Sequence, residues 1–115
     1  MSYKEMIIPR PKVSRMPKLE LNGKWLDALG FTVGTTVHVG YYDSCLTLSI
    51  HGKVKNNLND LVVTSKLVRK RPRTHLVLDW WLLRKYGFHV GERVVLHLMQ
   101  GTIQITKINH FSTTE

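Results

Sequence analysis

The sequence holds one cysteine, Cys45, in 115 residues. A lone thiol excludes an intramolecular disulfide and any zinc site built from several cysteines. Acidic residues are also scarce, 8 Asp plus Glu against 17 Lys plus Arg. The carboxylates Glu20, Asp27, Asp43, Asp60, Asp79 and Glu92 are scattered, with no DxD or ExK cluster. Mg²⁺-dependent cleavage of a polynucleotide needs several convergent carboxylates, so a metal-dependent nuclease is disfavoured. No HExxH pair is present, and Gly30 and Gly34 are not followed by the Lys-Ser/Thr of a phosphate-cradling loop. Neither a metal nor a cofactor is expected. No apolar run approaches the roughly 18 residues of a membrane-spanning helix. The first residues, MSYKEMIIPRPK, lack the apolar core of a secretory signal. The expected setting is therefore a reducing cytoplasm, with no membrane partner.

What is present is enough apolar material for one packed domain, 43% of residues, and an excess of positive charge: +9 formally, with a pI near 10.0. Such a balance points to a polyanionic partner, nucleic acid first. The charge is concentrated. Residues 1–18 carry Lys4, Arg10, Lys12, Arg15 and Lys18 against one acid, and residues 51–75 carry seven basic residues against one acid. The central run Lys66, Arg69, Lys70, Arg71 and Arg73 is the densest. Clustering of this kind builds a phosphate-binding field, where scattered charge serves mainly solubility.

The chain also repeats itself. Residues 19–50 align without gaps on residues 76–107 at an offset of 57, with eight identities in 32 positions. They are Leu19/Leu76, Leu21/Leu78, Leu26/Leu83, Gly30/Gly87, Phe31/Phe88, Val33/Val90, Gly34/Gly91 and Val37/Val94. Each copy predicts a short strand at Leu19–Leu21 or Leu76–Leu78, then a helix over 23–29 or 80–86 capped by Asn22 or Asp79. Gly30 and Gly87 end the helices. A hairpin follows, 36–41 with 45–50 and 92–99 with 102–107, turning at Asp43-Ser44 and Gln100-Gly101. Cys45 is placed in an apolar strand opposite Thr102. One such unit is too small to bury its own apolar face; two packed together are not. The organisation is thus a basic lead-in (1–18), a first repeat (19–50), a basic crossover linker (51–75) in which 61–68 can add a strand, a second repeat (76–107) and a tail (108–115). The fold class is mainly β with short helices, its strands antiparallel and interleaved between the copies.

The first copy carries a recognisable pattern. Ser14-Arg15-x-Pro17, Leu19-x-Leu21-x-Gly23-x-Trp25-Leu26 and Gly30-Phe31-x-x-Gly34 resemble the SymE family of bacterial toxins over about residues 9–50. The second copy keeps only the wider frame, with Trp80-Trp81-Leu82 in place of Gly23-Lys24-Trp25. That frame is similar to the AbrB/MazE (SpoVT-AbrB) swapped-hairpin superfamily. The resemblance implies a swapped-hairpin barrel made by two tandem copies. It implies a toxin of a type I toxin–antitoxin system, linked to the SOS response, that binds RNA or DNA and promotes RNA degradation as an endoribonuclease. The wider superfamily implies the alternative: a non-enzymatic DNA-binding regulator, antitoxin or nucleoid-coating protein. Both a homodimer and a pseudo-dimeric monomer are compatible with the two copies.

Carried over from the superfamily, phosphate contacts fall on Arg10, Lys12, Arg15, Lys18, Lys66, Arg69, Lys70, Arg71 and Arg73. Trp81 takes the place of Lys24, which should face solvent. An exposed indole there can stack on an unpaired base, or instead cover a protein surface. Metal-free RNA cleavage needs a base near the 2′-OH and an acid near the leaving oxygen. Histidine suits both tasks. His75 adjoins the basic run and His51 follows the first hairpin, so these are the catalytic candidates, against an ordinary structural role for each.

Overall fold

The computed structural model describes residues 2–10, 16–51 and 60–108. The elements run β1 (Ser2–Ile7), β2 (Leu19–Asn22), α1 (Lys24–Ala28), β3 (Thr36–Tyr42), β4 (Cys45–Ser49), β5 (Leu61–Val62), β6 (Thr64–Val68), β7 (Arg71–Leu78), α2 (Trp80–Lys85), β8 (Arg93–Met99) and β9 (Thr102–Lys107). The fold is mainly β, with every strand pair antiparallel. Among the described residues no helix is long and apolar enough to cross a membrane.

Two open sheets replace the expected barrel. One has six strands in the order β1-β8-β9-β4-β3-β5, the other three in the order β2-β7-β6. Closure fails at the ends of the larger sheet. β1 and β5 are its two edges and do not pair with each other, and β5 contributes only Leu61 and Val62 to β3.

The register follows the sequence repeat. Leu19 pairs with Leu78 and Leu21 with Leu76, so an exchange of residues 57 apart returns the same ladder. The β4–β9 ladder behaves alike, Leu46 with Ile105 and Leu48 with Ile103. Strands from the two halves are thus interleaved at both sheets. Cys45 pairs with Thr106 rather than Thr102, which faces Ser49 and Met99, because antiparallel pairing reverses the order that a sequence alignment suggests.

The edge strands extend the same relation beyond the aligned stretch. β1 lies on β8, and β5 lies on β3. Ile8 N–H donates to the Glu92 carbonyl and Gly91 N–H to the Ile8 carbonyl, at 2.9 and 2.8 Å. Val63 makes the matching pair of bonds with Thr35 and Gly34, at 3.0 and 2.8 Å. The short strand ahead of each repeat is therefore laid on the hairpin of the other. The basic lead-in contains a strand, β1, that its sequence does not advertise. Its first four residues are exposed, and only Met6 and the following Ile8 reach the core.

Alternation builds that core. Leu19, Leu21, Leu76 and Leu78 on one sheet, and Val37, Leu46, Leu48, Val94, Leu96, Ile103 and Ile105 on the other, all turn inward. Leu26, Leu82 and Leu83 from the helices and Phe31 and Phe88 from the turns fill the space between. Both helices stop in the same way. Phe31 N–H reaches back to the Leu26 carbonyl and Phe88 N–H to the Leu83 carbonyl, each at 2.8 Å, with Gly30 and Gly87 at φ +95 and +77. Glycine meets that left-handed requirement without a Cβ penalty. The helix starts differ from expectation. Asn22 is not a cap: it stays in β2 opposite His75, and Gly23 takes the cap position. Asp79 does cap α2, but through its carbonyl, which accepts from Leu82 and Leu83; its side chain makes no capping bond.

Candidate nucleic-acid interface

The crossover segment is a basic hairpin. β6 and β7 pair from Thr64–His75 to Val68–Arg71, leaving Arg69 and Lys70 as a two-residue turn at φ +53 and +66. Both central residues lie at positive φ, as in a type I′ turn, where Asn-Gly is the relaxed choice. Arg-Lys in that place carries charge at a cost in backbone strain.

Alternation then sorts the stem. Arg71, Arg73 and His75 on β7 share one face with Lys66 and Thr64 on β6 and with Glu20 and Asn22 on β2. Lys66 stands directly opposite Arg73. Like charges facing each other across a ladder destabilise it. Glu20 relieves part of this. Its carboxylate accepts from Lys66 Nζ at 2.9 Å and contacts His75 Nε2 at 2.8 Å, with Lys18 Nζ at 3.9 Å. The Lys66 hydrogen bond is the main reason the Glu20 carboxyl sits below its usual pKa; the His75 bond and the charges of Lys66 and Lys18 add to it, while partial burial opposes them.

A second feature lies where β2 leaves the sheet. Gly23 N–H donates to the Thr74 carbonyl at 3.0 Å, one step beyond the last β2–β7 pair. There the chain turns into α1 while β7 continues alone with β6. Alternation points the backbone of Thr74 and Pro72 towards the departed strand, and proline at the unpaired step leaves no N–H without a partner. The fork is a cleft of about 450 Å³ lined by Gly23, Lys24, Asp27, Arg71, Pro72, Arg73 and Thr74. Gly23 has φ +126, and a Cβ on it would lie 3.0 Å from Trp25 Cδ1. Its absence lets the indole fold back, where Nε1 donates to the Asn22 carbonyl at 2.8 Å. The Asp27 carboxylate accepts from the Thr74 hydroxyl at 2.9 and 2.7 Å. Lys24, Arg71 and Arg73 have no ion-pair partner among the described residues.

The residues expected from sequence do not all come together. Lys66, Arg69, Lys70, Arg71 and Arg73 are together on the hairpin, and Lys18 joins them through Glu20. Arg10 is exposed just after β1. Lys12 and Arg15 lie outside the described residues. Trp81 is 38% exposed on α2, at the other end of β7 from the hairpin tip. Seven strand steps at ~3.3 Å separate those ends by about 23 Å. The two histidines are not brought together. His75 is buried in the three-stranded sheet with Nε2 against Glu20, whereas His51 is exposed after β4, its ring packed on Gly101. No group of three or more His, Cys, Asp or Glu is placed to hold a metal ion among the described residues. Sequence reasoning missed Glu20, Lys24 and Asp27. Glu20 occupies the outward phase of Leu19-x-Leu21, and that phase was the available signal.

Residues 3–50 match the family model described as Toxin SymE, type I toxin-antitoxin system. Similar curated proteins include "Endoribonuclease SymE" of Escherichia coli O157:H7, "Toxic protein SymE" of Escherichia coli K12 and "Endoribonuclease SymE" of Shigella flexneri. Each is 44% identical over 39 residues, which is 34% of this chain and 34% of the relative. The chain thus spans about a third of the length of the curated relatives it matches. No solved structure matches. Over residues 3–50, from β1 through the end of β4, the chain is SymE-like, similar to a family of type I toxins.

Proposed function

We propose that this protein is a SymE-like bacterial toxin that binds nucleic acid through the β6–β7 hairpin and promotes RNA loss in the cytoplasm. The observation that carries the reading is the hairpin itself: five cations within Lys66–Arg73, two of them in a strained turn and two facing each other across the ladder. Local stability argues against that placement, and a polyanionic ligand rewards it. Contacts of this kind hold phosphates without reading bases, so binding should be tolerant of sequence and steep in salt. Arg10, Lys12, Arg15 and Lys18 form the second basic segment of the proposed interface, and Trp81 is a stacking position at its far side.

Direct RNA cleavage draws its support from the name endoribonuclease carried by relatives. His75 with Glu20 is the acid–base pair nearest the basic hairpin, with His51 the remaining candidate. A carboxyl held below its usual pKa by Lys66 is a weak base, so Glu20 is better suited to orienting His75 than to taking a proton itself. The other reading, an AbrB/MazE-like regulator or nucleoid-coating protein, acting as a pseudo-dimeric monomer or a homodimer, draws support from the two-fold character of the ladders.

Labelled single-stranded RNA and duplex DNA, each incubated with the protein in EDTA and in Mg²⁺, test binding and cleavage on the same gels. The fourfold variant Arg69→Ala/Lys70→Ala/Arg71→Ala/Arg73→Ala should weaken binding and flatten its salt dependence. Unchanged affinity in that variant refutes the hairpin assignment. Cleavage that persists in EDTA and is lost in His75→Ala would establish an enzyme, and binding without cleavage in either buffer removes the ribonuclease. Preference for one duplex sequence by roughly 10³-fold would instead identify a regulator.

A further inference from the structure

We propose that the fork between β2 and β7 is a nucleotide cleft that seats one unit of a single-stranded RNA. The inference rests on the nucleic-acid reading and names the substrate class of the same face. Three observations carry it. First, the basic residues of this face divide into committed and uncommitted sets. Lys66 and Lys18 are drawn to Glu20, whereas Lys24, Arg71 and Arg73, which line the cleft, have no anionic partner among the described residues. An incoming phosphate meets those three without first breaking an ion pair.

Second, the cleft has the size of a small ligand. At about 450 Å³ it falls in the range of small-molecule pockets, so one nucleotide is not too large for it. A duplex keeps its bases stacked inside and presents phosphates on a convex ridge, so placing a nucleotide here would require flipping it out. A single strand can place sugar and base in the cleft while Arg69 and Lys70 at the tip meet a neighbouring phosphate.

Third, the cleft is not purely cationic. Asp27 lies within it, its carboxylate fixed by the Thr74 hydroxyl. A carboxylate repels a bare oxyanion but accepts from hydroxyl or base N–H groups. The lining therefore suits a phosphate with donors attached, and the 2′-OH of ribose is such a donor.

The test uses the whole chain. Amide spectra are recorded while 5′-AMP, 5′-dAMP and inorganic phosphate are titrated separately, and a short single-stranded RNA and a duplex of the same length are then measured with Lys24→Ala and with Arg69→Ala/Lys70→Ala. We expect 5′-AMP to shift the amides of Gly23, Lys24, Arg73 and Thr74, ahead of 5′-dAMP and phosphate. Lys24→Ala, at an exposed position, should lower single-strand affinity about tenfold, the scale of one charge-assisted hydrogen bond, and duplex affinity by much less. Phosphate binding as well as 5′-AMP would reduce the cleft to an anion site and overturn the proposal. No shift with 5′-AMP, with single-strand binding unchanged in Lys24→Ala but weakened in Arg69→Ala/Lys70→Ala, would overturn the cleft and leave the hairpin reading intact. Shifts with 5′-AMP in a chain that binds neither polymer would leave a free-nucleotide site, overturn the proposal that the cleft seats RNA and remove the nucleic-acid reading. Silence in every titration would overturn both.

Discussion

Replacing Glu20 by Gln should make the protein bind single-stranded RNA more tightly. Glutamine keeps the shape of the side chain and an oxygen that can accept from His75, so the change removes charge and little else. Two ammonium groups, Lys66 at 2.9 Å and Lys18 at 3.9 Å, lose the carboxylate that now attracts them. On a single strand each cation that gains a phosphate steepens the log–log salt dependence by about 0.7. The slope should therefore steepen by about 0.7 if Lys66 alone is released and by about 1.4 if Lys18 joins it. An ion pair with its lysine about half exposed contributes at most about 1 kcal/mol, so the gain in affinity at low salt should be up to roughly fivefold. Fluorescence anisotropy across a salt series measures both quantities. The same variant has a pH signature in unfolding. Glu20 titrates below its unfolded value in the native protein, so its contribution is present above the unfolded pKa and is lost as pH falls through the folded one. The stability difference between wild type and Glu20→Gln should be seen at pH 7 and vanish in acid below both values. A slope equal to that of the wild type, or weaker binding, would refute the idea that Glu20 restrains these lysines.

Two further outcomes test the local geometry. Gly23→Ala should destabilise by about 2–4 kcal/mol, combining a backbone conformation reserved for glycine with displacement of the Trp25 indole from the Asn22 carbonyl. Gly34→Ala, at φ +93 with nothing near its Cβ, should cost only the backbone part, and equal urea midpoints for the two variants would contradict the reasoning. Replacing Arg69-Lys70 by Asn-Gly should raise stability by about 1–2 kcal/mol, since both residues lie at positive φ, and flatten the RNA salt slope by about 1.4. A variant that gains stability and binds as before would remove the turn from the interface.

The repeat made most of the scaffold legible. An identity frame at an offset of 57 placed β2, α1, β3 and β4, and α2, β8 and β9, within about a residue, because apolar alternation and the helix-ending glycines are local signals, whereas β7 begins at Arg71, five residues before the expected Leu76. What it could not reveal was pairing. The segment Ser2–Ile7 reads as a charged lead-in because an edge strand needs only one apolar contact in several residues. The run through Lys66–Arg73 reads as a linker because neither of its turn residues announces a hairpin. Closure into a barrel follows from family shape alone, and no pattern in the sequence shows that β1 and β5 end the larger sheet as unpaired edges. The candidate interface was legible as charge, through the density of Lys and Arg, but not as geometry. Glu20 and Asp27 look like scattered acids in sequence, and only the crossing of β2, α1 and β7 shows that one restrains cations and the other lines a cleft.

The same crossing explains why a nearly symmetric fold has a one-sided surface. Exchange by 57 residues preserves the buried set: Leu19, Leu21, Leu26 and Phe31 meet Leu76, Leu78, Leu83 and Phe88, all buried. The exposed set is not preserved. Glu20 becomes Val77, Gly23-Lys24 becomes Trp80-Trp81, and Asp27 becomes Arg84. Arg73 and Thr74, which flank the cationic fork, correspond to Met16 and Pro17. At the positions that correspond to Arg73, Gly23 and Lys24 stand Met16, Trp80 and Trp81, each at least 38% exposed, and Arg84 takes the place of Asp27. Packing constrains both halves alike, since each leucine must fill the same volume whichever copy supplies it. Solvent-facing positions carry no such demand, and there the two halves have parted. A symmetric pair of SymE-like units would offer phosphates two equal forks. This chain has Lys24, Arg71 and Arg73 at the fork of one half and Trp81, Ser14 and Met16 at the corresponding positions of the other.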